Sequence, residues 1–440
     1  MAINPLAAEL NRIILEESPT VYTLLSRLGR EMYFPRGIVE QSADARQKAW
    51  RFNATIGIAT HRRQAMFLPS MIRYINELGP DESLSYPPTK GVVQLRDRWL
   101  NHLREENPTL RDKHVSLPIV TSGITHGLSL VADLFCDEGD PVILPDLFWG
   151  NYRMIFGLRR GGRLMHYPFF NERGGLNLES LAEALSSLPP TQKAIIILNF
   201  PHNPTGYSPT PSEAEGLAEV IQGEAESGRD ILVVCDDAYF GFFYEEGILR
   251  ESMFSFLCDL HPRVLAVKLD GATKEDYAWG LRIGFLTHGI KKVEEGPELY
   301  SALNRKIGGA IRSSVSCCSM LAQNLLLKSI SSPTYRQEKE ELYRMLRDRY
   351  LKVKEMLASG RFNDAFTPYP FNSGYFMCLR LHGGDAEGLR RHLLEQEGVG
   401  IISLDQANVR IAFSCMETEE IPGLFDILYN AVMKTRREAL

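Results

Sequence analysis

The 440-residue chain reads as an α/β protein: a large, doubly wound domain on a mostly parallel sheet, with a smaller α+β domain formed by both termini. Three observations predict this. The chain is too long for a single small core, so two domains are expected. Between about residues 90 and 290, short and nearly all-apolar runs alternate with turns and amphipathic stretches, the pattern of buried parallel strands covered by helices on both faces. Beyond about residue 330 that alternation stops. The large domain is accordingly expected over residues 65–330, and the small one over 1–64 plus 331–440.

In chain order, strands are expected at 117–121 (LPIVT), 141–144 (PVIL), 194–199 (AIIILN), 231–235 (ILVVC) and 264–269 (VLAVKL). Each is short, aliphatic or β-branched, and bounded by turn residues. Helices fit 92–105, 124–136 and 212–226, where apolar positions recur with helical spacing. After residue 330 come a long charged helix at 335–357, a strand at 374–381, a helix at 386–397, a strand at 409–413 and a closing helix. The first 60 or so residues lack a βαβ pattern, so they are expected to pack with this C-terminal unit. No internal repeat is apparent.

Composition narrows the function. With 44% hydrophobic and 24% charged residues the chain is an ordinary globular protein. A net charge of −6 and no clustered basic face argue against nucleic acid or anionic lipid as partners. Seven cysteines, several of them (Cys136, Cys235, Cys258, Cys378) inside apolar segments, suit small core residues in a reducing compartment rather than a disulfide framework. Cys317 and Cys318 are adjacent without a further pair at metal-ligand spacing, so no metal site is expected. The N-terminal stretch carries acidic residues soon after its apolar ones, and no run approaches ~18 apolar residues. A cytoplasmic protein, neither secreted nor membrane-spanning, is expected.

In an open α/β sheet, ligands bind beyond the carboxyl ends of the strands, so the loops there hold the chemistry. The loop TSGITHGL joins a strand to a helix start, where free backbone N–H groups and the helix dipole receive a phosphate. NFPHNPTGYSP is rich in turn residues and carries Asn203. VVCDDAYFGF brings Asp236, Asp237 and Tyr239 to the same edge. DGATKEDYAWGLRIGF sets Lys274 eight residues before Arg282, with Gly280 and Gly284 around the arginine. Read singly, these are a turn, loop carboxylates, and a lysine that Glu275 and Asp276 would usually make a solvated surface group. Lys268 is a rival amine, but it lies within the apolar strand.

Taken together and in this order, the four loops resemble the class I/II aminotransferases of pyridoxal-phosphate fold type I, the superfamily that includes aspartate aminotransferase. The shared landmarks are the Asn-Pro-x-Gly turn, the Asp-x-x-Tyr strand end, the lysine with an arginine eight residues on, and a distal arginine, here Arg410 in NVRIAF. They span Gly57 to Arg410. No GxGxxG follows a first strand and no Gly-Lys-Ser/Thr loop is present, so nicotinamide and phosphate-loop alternatives fall away. A DNA-binding regulator on this fold would need a basic helix-turn-helix that the N-terminal segment lacks.

The resemblance implies roles. Lys274 would form the Schiff base with pyridoxal 5'-phosphate and shuttle a proton. Asp236 would pair with the ring nitrogen, with Asp237 as the alternative; Asn203 and Tyr239 would donate to the ring oxygen, and Trp149 would stack on the ring. The phosphate would lie against Gly123, Ile124 and Thr125 with Arg282 as its charged partner, and Tyr86 would reach it from a second subunit, making a homodimer with shared sites. Arg410, with Gly57 and Asn203, would hold the substrate carboxylate. The family often has serine where this chain has Gly271, a contact that Thr273 could replace. IRSSVS around Arg312 resembles a segment that reads a substrate side-chain carboxylate, but its spacing from the lysine is not kept. The expected reaction exchanges an amino group between an amino acid and a 2-oxo acid. A lyase or decarboxylase on the same fold is the alternative, because the sequence does not fix which bond at Cα is aligned for cleavage.

Overall fold

A computed structural model describes residues 3–35, 37–291, 298–383 and 385–438. Its centre is a seven-stranded sheet of Ile119–Thr121 (β1), Pro141–Pro145 (β2), Arg163–Tyr167 (β3), Ala194–Asn199 (β4), Ile231–Asp236 (β5), Val264–Asp270 (β6) and Gly284–Gly289 (β7). The spatial order is β1-β7-β6-β5-β4-β2-β3. All neighbours are parallel except β7, which runs antiparallel to both β6 and β1.

The apolar runs explain the middle of this sheet. Every residue of β2, β4 and β5 is buried, and each aliphatic side chain so enclosed contributes roughly 1.5–3 kcal/mol. Helices Ile124–Phe135 and Pro211–Glu226 are among those connecting the strands. The second begins with a capping box, in which Thr210 and Glu213 satisfy each other's backbone N–H groups, followed by proline in the first turn. Its counterpart starts differently. Gly123 precedes Ile124 with φ at +76°, a left-handed value that turns the chain from β1 into the helix at little steric cost.

Two strands of the central sheet escaped the sequence reading. The edge strand β3, Arg-Leu-Met-His-Tyr, is only partly buried and shows no apolar run. β7 contains Thr287 and His288, both wholly buried, so polar letters hide a central strand.

The C-terminal part forms a second, antiparallel sheet from Phe366–Pro368 (β8), Phe376–Leu381 (β9), Ile402–Ser403 (β10) and Asn408–Ala412 (β11), in the order β8-β9-β11-β10. The 24-residue helix Tyr335–Ala358 leads into it. The expected helix at 386–397 is α-helical only to His392, then widens into a π-turn over Leu393–Glu397. Segments from the N-terminal side reach this unit: Phe52–Asn53 pairs in parallel with Val399–Gly400, and Gln41 Nε2 donates to the Ser403 carbonyl at 3.1 Å. Another reaches the opposite way, with Arg27 placing its guanidinium 3.6 Å from Glu138.

Candidate active site

A cleft of about 150 Å³ opens where β4 and β5 end, beside the start of helix Ile124–Phe135. Lys274 projects into it from a single helical turn, Ala272–Glu275, that directly follows β6. Its Nζ lies 4.9 Å from the centre of the Tyr239 ring. Burial pushes its pKa down to about 8, with Arg282 adding to the fall and Asp236 opposing it.

Asp236, the last residue of β5, shares the cleft. Tyr152 Oη donates to its Oδ2 at 2.6 Å and the Ala238 N–H to its Oδ1 at 3.2 Å. Burial raises its pKa to about 6, while the Tyr152 bond and the Lys274 charge pull it back. Asn199, at the equivalent end of β4, holds the loops together: its Nδ2 donates to the Asp236 carbonyl at 2.7 Å, and its Oδ1 accepts from the Asn203 N–H at 2.8 Å. Asp237 points away into an ion pair with Lys268. Lys268 also lies 3.4 Å from Asp270 and is wholly buried, so of the two lysines only Lys274 faces the cleft.

One end of the cleft is a basic cradle. The Arg282 guanidinium lies against Gly123, where a Cβ would stand only 2.5 Å from Nη2. Close packing continues at Gly284, whose Cβ would meet the Gly123 carbonyl carbon at 2.8 Å and the Ile124 nitrogen at 2.9 Å. As the first residues of a helix, Ile124 and Thr125 have N–H groups without an acceptor one turn back. Thr273 lines the same end, although its Oγ1 donates to the Ile283 carbonyl at 3.3 Å. Gly271 is there for steric reasons: a Cβ would fall 2.5 Å from the Ile283 oxygen and 2.6 Å from Gly284 Cα. A serine at 271 does not fit this backbone.

Behind Asn203, which lines the cleft, Arg410 on β11 is 2% exposed. It donates to Asn203 Oδ1 at 3.1 Å and to the Thr55 carbonyl at 3.0 Å, and it stacks 4.0 Å from the Phe376 ring. No carboxylate among the described residues pairs with it, and its Nε has no partner. A buried guanidinium matched only to neutral acceptors is a site for an anion. Gly57 closes this side: a Cβ there would sit 3.9 Å from both Tyr239 Oη and Phe376. Trp149 lines the cleft and meets Tyr152 edge-on, at 5.5 Å and 88°.

Two sequence candidates lie elsewhere. Tyr86 is 92% exposed and is not among the residues lining the cleft of its own chain. Arg312 is also exposed, bonded to Ser316. The reading of Glu275 and Asp276 as marks of a solvated segment is corrected: they are 5% and 0% exposed. Conversely, Tyr152, Asn199, Thr55 and Phe376 were missed. Tyr152 had a faint signal, three residues after Trp149 in an aromatic-rich strand-end loop; the other three act through a backbone carbonyl, neighbouring loops or a ring face, which leave no motif.

The family model for aminotransferase class I and II matches residues 56–428. The chain belongs to this family. Its members are enzymes that transfer amino groups with pyridoxal phosphate. An aspartate aminotransferase of Sulfurisphaera tokodaii is 26% identical over 349 residues, covering 77% of this chain and 80% of that protein. A 2-aminoadipate transaminase of Thermus thermophilus is 27% identical over 331 residues, covering 74% and 73%. An aminotransferase structure from Anaerococcus prevotii shares the fold with a TM-score of 0.82 at 22% identity, covering 94% of this chain and 99% of its own. This aminotransferase presents what the cofactor needs: a basic cradle that a Cβ would fill, an amine of lowered pKa, and a buried carboxylate in the same cleft.

Proposed function

We propose that Lys274 is the residue that joins covalently to pyridoxal 5'-phosphate, and that the cleft exchanges an amino group between an amino acid and a 2-oxo acid. The observation that carries this is the joint placement of one low-pKa amine and one buried carboxylate in a single cleft, with a buried arginine that has no carboxylate partner among the described residues bonded to Asn203 at its wall. Bound there, the cofactor supplies an electron sink for the bond broken at the substrate Cα.

The chain's own groups do the rest. Lys274, neutral in part near pH 7, takes the proton from Cα and returns it on the other side of the exchange. Asp236, steadied by Tyr152 and Ala238, offers its carboxylate to a protonated ring nitrogen, which would lower its own pKa from about 6. Asn203 and Tyr239 would hold the ring oxygen, and Trp149 would cover the ring face. Gly123, Ile124, Thr125, Thr273 and Arg282 would hold the phosphate. Arg410, with Asn203 and Gly57 beside it, grips the substrate α-carboxylate through its planar fork.

The proposal extends to the assembly. A large cofactor domain over 65–330 and a small domain from 1–64 plus 331–440 would flank the cleft, and Tyr86 would enter the site of a second copy in a homodimer. Among the described residues no helix is long and apolar enough to cross a membrane, which suits a cytoplasmic enzyme.

The test is the absorption spectrum of the purified protein with cofactor, amino acids and then 2-oxoglutarate, for wild type and Lys274→Ala. The panel begins with aspartate and 2-aminoadipate, after the relatives' names. A cofactor band that shifts with one amino acid, returns with the oxo acid and is lost in the variant is the expected result. Release of ammonia or carbon dioxide without that cycle would instead assign the chain to the lyase or decarboxylase alternative.

A further inference from the structure

The turn that carries Lys274 has only four residues, Ala272–Glu275, far too few to be stable alone. It is held from outside on two sides. On one, Thr273 bonds to the Ile283 carbonyl. On the other, the Glu275 carboxylate lies 2.6 Å from His102 Nε2 and 3.0 Å from Lys339 Nζ. The next residue, Asp276, is wholly buried, accepts from Tyr335 Oη and lies 3.5 Å from the same Lys339.

These partners come from different parts of the fold. His102 belongs to helix Val93–Glu106, which is fixed to the central sheet by Trp99 stacking on Phe285 of β7 at 4.1 Å. Tyr335 and Lys339 form the first turns of helix Tyr335–Ala358. Ten residues, or about 15 Å, further along that helix, Arg349 donates to the Ser414 carbonyl at 2.6 Å and to Glu417 at 2.9 Å. Those residues closely follow Arg410. A single helix therefore ties the Lys274 turn at one point and the strand end after Arg410 at another.

We infer that Glu275, gripped by His102 and Lys339, is a positioning residue that fixes the distance between the Lys274 amine and the substrate held by Arg410. Apolar packing would stabilise a buried turn at least as well as this ion cluster; what the cluster adds is a directional grip on one short turn. The inference rests on the reading of Lys274 as the cofactor-bearing residue.

The test compares holoenzyme variants Glu275→Gln, Lys339→Met, their double, and Lys339→Arg, measuring kcat and KM for the amino acid, the circular dichroism of the cofactor band and thermal unfolding. Removing either partner is expected to lower kcat on the order of 10- to 100-fold, the scale of a misplaced reacting group, with KM unchanged. The dichroic band should change while cofactor stays bound, and Lys339→Arg should recover most of both. The double variant leaves no lone charge at 275 or 339, and Asp276 keeps its bond from Tyr335 Oη, so it reports even if a single variant does not fold. Variants that bind cofactor with wild-type kcat and dichroism and lose only thermal stability would overturn the inference, as would equal losses in Lys339→Arg and Lys339→Met. A wild-type protein with no cofactor band would instead remove the reading beneath it.

Discussion

Lys274 and Arg410 are both cations brought out of water, and the contrast between them sets what each can do. The lysine can shed its proton, and burial pushes its pKa to about 8 from an ordinary 10.5. Below that value the folded apoprotein holds the amine protonated and non-nucleophilic; above it the free base dominates. The rate at which apoprotein captures pyridoxal phosphate should therefore rise with pH and level off near 8, as followed by the growth of the cofactor band. A rise continuing towards 10.5 would mean that the amine is not desolvated as described. The arginine cannot shed its proton, so it requires an anion. Arg410→Lys keeps the charge but loses the fork that now spans Asn203 and Thr55. KM for amino acid and oxo acid should both rise by an amount equivalent to ~2–5 kcal/mol, while cofactor binding is unchanged, as measured by steady-state kinetics beside a cofactor titration. Both residues were legible in the sequence through their motifs. Glu275 was not: beside Lys274 and Asp276 it looked like surface, because the histidine and lysine that bury it lie 173 and 64 residues away.

At the scale of elements, the readable strands were those whose surroundings are uniformly apolar. β2, β4, β5 and β6 carry their burial in their letters, and so the loops at their carboxyl ends were found. β3 and β7 were not found, because an edge strand is half wet and β7 buries polar side chains. His288, for example, is wholly enclosed with neither ring nitrogen hydrogen-bonded, and its backbone N–H donates to Ser116 Oγ at 2.8 Å. The π-turn at Leu393–Glu397 was likewise invisible, since helical spacing of apolar residues does not distinguish it from an α-helix over five residues. Between β4 and β5 the geometry depends on one side chain. Asn199→Ala would leave the Asp236 carbonyl and the Asn203 N–H without partners at buried positions, each worth ~1–3 kcal/mol. Denaturant unfolding should show a loss of that order, and the loops should loosen together: weaker cofactor affinity through Asp236 and weaker substrate affinity through Asn203. A stability loss with both affinities intact would show that the strand ends hold their places without the asparagine.

For the whole molecule, the exposed apolar residues form the argument. Phe67, Ile72, Ile75, Leu84 and Tyr86 lie within twenty residues of chain and are 45–92% exposed, which is a costly arrangement for a solvated surface and an ordinary one for a subunit interface. Tyr86 contributes nothing to the cleft of its own chain, yet the resemblance gives it a cofactor role; a two-fold dimer reconciles the two, because the same patch on each subunit then serves the other's site. The proposed sharing can be tested by mixing. A Lys274→Ala chain lacks the amine and a Tyr86→Ala chain lacks the tyrosine. In a hybrid dimer of the two, one site takes Lys274 from the second chain and Tyr86 from the first, and is complete. Unfolded together and refolded at equal concentrations, half the dimers are hybrids with one intact site each, so the mixture should approach roughly one quarter of the wild-type rate, above the average of the parents refolded separately. If each site drew only on its own chain, no complete site would form, and the mixture would show that average and no more.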